Sequence, residues 1–364
     1  MQLFACEICG HALYFENVRC ERCGAALGFL PDRLRLGAVR AGDDDTLEPL
    51  GAAGERHRRC GHADLNGCNW LVPAGSPSPW CVADNLNRTI PDLDQPQNLE
   101  RWQLLERAKR RLVYALLRLG LPVVPRSVDP EHGLAFDFLA DLADGTAVMT
   151  GHAEGVVTIN VAEADPVEGL RRREQLDELY RTVLGHFRHE VAHYFFDRLV
   201  RDTPVHAAFR ERFGDERADY AAALQRHYED GPAPDWQSRH VSAYAAAHPL
   251  EDWAETFAHY LHIVDTLDTA QSFGVIVDPA PEAAPGVDTE HLGNAYGCTS
   301  AQRLVDAWLP LTFALNSLNR SMGLGDLYPF VLSPPVIDKL ELVRRIVAEG
   351  REVEEKRGRE GGGT

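Results

Sequence analysis

The chain has 364 residues, a formal net charge of −18 and 45% hydrophobic residues. That is enough for one large domain with a real core plus smaller modules. The charge repels phosphate backbones and argues against general nucleic-acid binding. Residues 1–60 carry 8 Lys or Arg against 9 Asp or Glu, so they offer no basic face either. No apolar run is long enough to cross a bilayer. The opening MQLFACEICG lacks the basic and apolar regions of a secretory signal. A soluble, cytoplasmic protein is the expectation.

Seven of the eight cysteines fall in the first 81 residues. In a reducing compartment such clustering favours metal over disulfides. Residues 6–24 read Cys-x2-Cys-x10-Cys-x2-Cys, at Cys6, Cys9, Cys20 and Cys23, with Gly10 and Gly24 after the two pairs. A Cys-x-x-Cys-Gly turn aims two thiolates at one ion, and its glycine supplies the positive φ the turn needs. Two such knuckles predict a closed, structural zinc site in a ribbon over residues 1–50. A piece that small cannot build a core without the metal. A second group, Cys60, Cys68 and Cys81, predicts a ribbon-like segment over 51–97. It can hold a second structural zinc, with His62, His57 or Asp84 as fourth ligand; the bland alternative is three buried thiols. Cys298 stands alone and reads as a buried free thiol.

Residues 99–122 form an amphipathic helix on the spacing of Leu104, Leu105, Ala108, Leu112, Ala115, Leu116 and Leu119, ended by Gly120 and Pro122. The runs GLAFDFLAD, TAVMTG and GVVTINVAEAD, between 133 and 165, read as strands of a small sheet. A long helical stretch follows over 167–200, with further helices expected over 205–229, 239–265 and 301–321. A Pro- and Gly-rich loop is expected over 277–297, and a frayed, charged tail over 350–364. The expected class is α+β: an N-terminal zinc ribbon, then a mainly helical domain over 98–349 with a small sheet.

The helical stretch contains His-Glu-x-x-His at His189, Glu190 and His193. Residues four apart share a helix face, so both imidazoles can reach one ion, with Glu190 beside the first to take a proton from metal-activated water. His186 shares that face, but three His over two turns are too far apart for one tetrahedral ion; it reads as an interior His. A hydrolytic zinc needs a third protein ligand and an open position. The candidates are Glu251 and Glu255, on one face of a later helix, and the nearer acids Asp215, Glu216 and Asp219. Of two facing carboxylates, one can ligate while the other holds a ligand His in its tautomer.

His-Glu-x-x-His followed by two spaced acids on a later helix resembles the gluzincin metallopeptidases. The stretch from Tyr244 to Glu255 is particularly similar to the anthrax lethal-factor type. That resemblance implies Glu251 as third ligand, Glu255 as the carboxylate supporting a ligand His, and Tyr244 as donor to the oxyanion. More broadly, CNWLVP, LNRTIPDL, TGHAEGVVTINVAEAD, LGHFRHEVAHYFFDRLV, FGDERADY and HPLEDWAETFAHYLHIVDTL resemble a bacterial family that joins a zinc ribbon to a zinc-binding metallopeptidase. Where that family leads one to expect Cys-x-x-Cys before LNRTIPDL, this chain has Asp84 at the second place.

These observations predict a zinc-dependent peptidase acting on peptide or protein substrates, with one catalytic zinc, one ribbon zinc and a possible second structural zinc. Glu190 would serve as general base, and the strand GVVTINVA as the sheet edge along which substrate pairs. The competing class is a zinc-stabilised adaptor whose His-Glu-x-x-His site does no chemistry.

Overall fold

The computed structural model describes residues 2–52, 54–141, 148–165, 182–278 and 292–361, with side chains through residue 351. The chain divides into two compact units, residues 1–118 with 122–169, and residues 119–121 with 170–364.

The first unit begins with the hairpin β1 (Phe4–Ala5) and β2 (Ala12–Leu13). An antiparallel five-stranded sheet follows in simple meander order: β3 (Leu27–Leu30), β4 (Arg35–Ala41), β5 (Leu47–Pro49), β6 (His57–Arg59) and β7 (Leu71–Pro73). The four-residue helix α1 (Ala63–Asn66) sits between the last two strands. The helix predicted over 99–122 is α2 (Pro96–Leu119), stopped at Gly120, whose φ of 70° an L side chain rarely adopts. One face of α2 presents Tyr114 to the ribbon aromatics. The Phe15 and Tyr114 ring centroids lie 5.1 Å apart, and those of Phe29 and Trp70 lie 4.8 Å apart. Another face carries the fully buried Lys109 above Phe136 and Phe138, paired with Glu106 at 2.7 Å. A buried ammonium persists only with such partners.

The second sheet of this unit is ordered β10 (Gly151–Ala153), β11 (Val156–Asn160), β9 (Ala135–Leu139) and β8 (Asn87–Thr89). Two expectations change here. The strand placed in TAVMTG begins only at Gly151, and residues 142–147 lie outside the described residues. GVVTINVA is not a sheet edge. Glu154 and Gly155, at φ 50° and 80°, form a two-residue hairpin turn that folds β10 back onto β11, while β9 pairs its other side in parallel. Among the described residues, the edge strands of this sheet are β10 and β8.

The second unit is helical. The described part of the stretch predicted over 167–200 is α3 (Val183–Leu199), capped by Thr182, whose hydroxyl accepts from Gly185 N at 3.0 Å; residues 166–181 lie outside the described residues. The helix predicted over 205–229 is two, α4 (His206–Phe213) and α5 (Tyr220–Asp230). Gly214, at φ 105°, ends the first, and the Asp219 carboxylate caps the second by accepting from Ala222 N. The helix predicted from 239 begins later, as α6 (Pro249–Ser272). Pro249 drives His248 into extended backbone, so the helix cannot start earlier, and proline suits the first helical position. Helix α7 (Ala301–Ser321) has its predicted bounds. Helix α8 (Pro334–Gly361) runs into the tail expected to fray; its Glu, Lys and Arg are strong helix formers. Part of the loop expected over 277–297 lies outside the described residues; a short 3-10 turn, Ala295–Gly297, closes it.

Helices α3 and α6 pack through fully buried side chains. Phe195 stacks on Phe257 at 5.6 Å, and the Trp253 indole N–H donates to the Ala192 carbonyl at 2.8 Å. This apolar contact fixes where the polar residues of the same two helices meet. No described helix is long and apolar enough to cross a membrane.

Candidate metal centre

His189 and His193 lie one turn apart on α3, with ring centroids 5.1 Å apart. Glu251, in the first turn of α6, faces both. Its Oε2 is 3.0 Å from His189 Nε2, and its Oε1 is 3.6 Å from His193 Nε2. The donor atoms of the three all lie within 4.8 Å of one another. Zinc bonds of about 2.0–2.1 Å in a tetrahedron put neighbouring donors about 3.3 Å apart, which these separations bracket. Glu251 is 1% exposed, and its Oε2, though 3.0 Å from His189 Nε2, makes no aligned hydrogen bond. A buried carboxylate oxygen without a hydrogen bond is costly, and a cation held between it and the imidazoles removes that cost. The residues therefore fit a zinc ion with three protein ligands.

The surroundings hold this arrangement. His189 Nδ1 meets Glu255 Oε1 at 2.7 Å, which turns Nε2 toward the centre. The other Glu255 oxygen accepts from the Ser242 hydroxyl at 2.7 Å, and the same hydroxyl accepts from Ala245 N at 3.1 Å. Ser242 thus ties the 3-10 turn Tyr244–Ala246 to the carboxylate that aims His189. In the metal-free protein burial disfavours a charged His189, but the Glu251 and Glu255 carboxylates outweigh it and raise its pKa well above the ordinary value. Burial raises Glu251 and Glu255, yet contact with His189 brings each down to about 2.

Two tyrosines flank the cluster. The Tyr244 ring lies 5.9 Å from the His189 ring, and the Tyr220 hydroxyl donates to Glu251 Oε1 at 2.7 Å. Burial, then the Glu251 charge, raises both hydroxyls far above the ordinary tyrosine value, so both stay protonated donors. Glu190 is buried beside His189, and its charge acts on both tyrosines. Sequence reasoning missed Tyr220. It stood in FGDERADY, where attention went to the acids. Those acids are engaged elsewhere: Asp215 with Arg217 at 2.7 Å, Glu216 with Arg210 and His206, and Asp219 as a helix cap. His186 lies outside the three-donor group.

The N-terminal cysteines form two matching knuckles. Gly10 N donates to Cys6 O at 2.8 Å and Gly24 N to Cys20 O at 2.9 Å. Cys6 and Cys23 sulfurs are 3.7 Å apart, as are those of Cys9 and Cys20. Zinc–sulfur bonds of about 2.3 Å in a tetrahedron require about 3.8 Å. Cys60, Cys68, Cys81 and Asp84 form a third group, all buried. Of the other two candidates for its fourth place, His62 meets Asp84 Oδ2 at 3.0 Å and His57 is outside the group. Cys298 is half-buried rather than buried, its thiol donating to the Ser300 carbonyl at 3.3 Å.

A family model described as a zinc-ribbon domain matches residues 3–95, and one described as "Putative zinc-binding metallo-peptidase" matches residues 98–346. Uncharacterized proteins of Mycobacterium bovis and of Mycobacterium tuberculosis are each 43% identical over 350 residues, 96% of this chain and 96% of theirs. No solved structure matches the chain. The cysteine knuckles and the His/Glu cluster fall inside the two matched regions, and the chain belongs to this zinc-binding metallo-peptidase family, with a zinc-ribbon domain at its N-terminal end.

Proposed function

We propose that the chain is a zinc-dependent metallopeptidase of gluzincin type, with His189, His193 and Glu251 as zinc ligands and Glu190 as general base. The observation that carries this reading is the company the three donors keep. A site that only binds metal needs no carboxylate next to its first histidine and no pair of protonated tyrosine hydroxyls. Zinc held there supplies Lewis acidity, polarising a peptide carbonyl and acidifying water. Glu190 takes a proton from the attacking water on its carboxylate and passes it to the leaving amine nitrogen. Tyr244 donates its hydroxyl hydrogen to the carbonyl oxygen as negative charge develops there. Glu255 holds His189 with Nε2 inward, and Ser242 holds Glu255. Tyr220 steadies the Glu251 carboxylate.

The test is cleavage of a peptide mixture by the zinc-loaded protein and by Glu190→Gln, followed by mass spectrometry, with zinc content measured on both. Cleavage by wild type that disappears in Glu190→Gln at unchanged zinc content supports the reading. Equal cleavage by both proteins, or none by either, sinks it.

A further inference from the structure

We propose that Cys60, Cys68, Cys81 and Asp84 bind a separate, structural zinc ion through three thiolates and one carboxylate. This goes beyond the peptidase reading and does not depend on it. The first argument is backbone geometry. In each ribbon knuckle the residue after the second cysteine donates its N–H to the carbonyl of the first. Residues 81–85 make the same bond: Asn85 N donates to Cys81 O at 2.9 Å. Asp84 stands where a knuckle has its second thiolate, so Cys81-Val82-Ala83-Asp84 is a knuckle with a carboxylate in that place.

The second argument is the placement of donor atoms. The four ligand atoms lie within 4.8 Å of one another. Cys68 and Cys81 sulfurs are 3.7 Å apart, close to the tetrahedral separation of about 3.8 Å for thiolates on one zinc. Cys60 Sγ is 3.1 Å from Asp84 Oδ2. Gly67, at φ 66°, ends α1 and turns the chain so that Cys68 joins the group. The Cys81 N–H points at the Cys60 sulfur at 3.4 Å, the contact by which backbone steadies a thiolate.

The third argument is an unpaired atom. Asp84 is 2% exposed, and its Oδ1 has no hydrogen-bond partner. Three buried thiols alone do not call for a carboxylate among them, and burying one without a full set of partners is costly. A cation removes that cost. The outer support is built as well. His62 Nδ1 lies 3.0 Å from Asp84 Oδ2, and its ring stacks on Trp80 with centroids 4.0 Å apart. On the other side the Arg110 guanidinium, buried on α2, donates to Asn66 O at 3.2 Å. The ion would pin residues 60–84, which carry α1 and the sheet's last strand β7, in place against α2.

The experiment uses the full chain, purified without chelators, with zinc counted by mass spectrometry and release followed with a chromogenic chelator. Cys68→Ser is expected to hold one zinc fewer than wild type, whatever the occupancy of the His/Glu centre. Asp84→Ala should release one zinc roughly tenfold faster or more, and His62→Ala should weaken the same ion by about 10–100-fold. Asp84→Cys, which completes a four-thiolate knuckle, should keep the full count and release that ion more slowly than wild type. This variant needs no destabilised chain, so it decides the case even if Cys68→Ser folds poorly. Equal zinc counts in wild type and Cys68→Ser would leave only three buried thiols. Release unchanged in both Asp84→Ala and Asp84→Cys would remove the carboxylate from the ligand set.

Discussion

The ribbon cysteines and the His/Glu cluster are both built to hold a divalent cation, and they differ in almost every other respect. The ribbon offers four donors of one kind from two short turns, with Cys23 exposed. Four thiolates fill a tetrahedron and leave no place for water or substrate. The cluster on α3 and α6 offers three donors of two kinds, His189 and Glu251 buried and His193 partly so, and surrounds them with Glu190, Glu255, Tyr220 and Tyr244. A donor set that is complete holds structure. One that is a ligand short, and ringed by groups able to give and take protons, is the arrangement the proposed peptidase reading requires.

The contrast breaks most sharply at Glu190. Glu190→Gln is expected to lower peptide cleavage by about 10²–10⁴-fold at unchanged zinc content, the usual range for a positioned general base. No substitution beside the ribbon knuckles should have a comparable effect on cleavage at constant zinc. If Glu190→Gln instead loses zinc in proportion to activity, the residue helps to hold metal, and the two centres are more alike than they look. Tyr244→Phe comes next. Removing the donor to the developing oxyanion should cost about 10²–10³-fold in kcat with little change in KM. Tyr220→Phe removes a bond to the ligand Glu251 and should show mainly in zinc retention, with a smaller loss of kcat. A larger kcat loss for Tyr220→Phe than for Tyr244→Phe would exchange their roles.

The two centres were not equally legible in the sequence. The ribbon site is local: 18 consecutive residues, Cys6 to Cys23, name every ligand, because a knuckle is specified by its own spacing and glycine. The α3 half of the other centre is local too, since i and i+4 share a helix face. Its α6 half is 58 residues beyond His193. Only the packing of Phe195 on Phe257 and of Trp253 under Ala192 brings Glu251 and Glu255 to the histidines. Tyr220 was invisible for the same reason. Its role depends on a helix that restarts at Asp219 after Gly214, where the sequence reads as one helix over 205–229. The strand GVVTINVA failed as an edge because Glu154 and Gly155 reverse the chain; Gly155 was visible, but a positive φ at a glutamate was not.

A smaller effect sharpens the comparison at the supporting residues. Glu255→Gln leaves a side chain of the same shape but removes the charge that fixes the His189 tautomer. Zinc affinity at the His/Glu centre should fall by about 10–100-fold while the ribbon zinc is unaffected. Ser242→Ala should move the same quantity less, because Glu255 keeps its bond to His189. Competition with a chromogenic chelator measures both. Equal loss of the ribbon zinc in Glu255→Gln would mean that the substitution disturbs the whole chain rather than one imidazole.

The finest distinction is the proton count. In the metal-free protein His189 is held protonated by Glu251 and Glu255, with its pKa raised well above the ordinary histidine value. A group raised in this way contributes stability that is fully present below the unfolded value of about 6.5 and is lost as pH rises through the folded pKa. Zinc has the opposite preference, because it takes the imidazole only without its proton. Affinity at this centre should therefore rise with pH until the folded pKa of His189 is passed, with roughly one proton released per ion at pH 7. Filling four thiols whose ordinary pKa is near 8.5 should release roughly three to four. Zinc titration in weak buffer with a pH indicator reads the difference. Running it on the double variant Cys20→Ser/Cys68→Ser isolates the His/Glu centre from both cysteine sites. Release of no proton there at neutral pH would mean that His189 is already neutral without metal. The carboxylates would then not hold it as a cation, and the electrostatic part of the contrast between the two centres would fall.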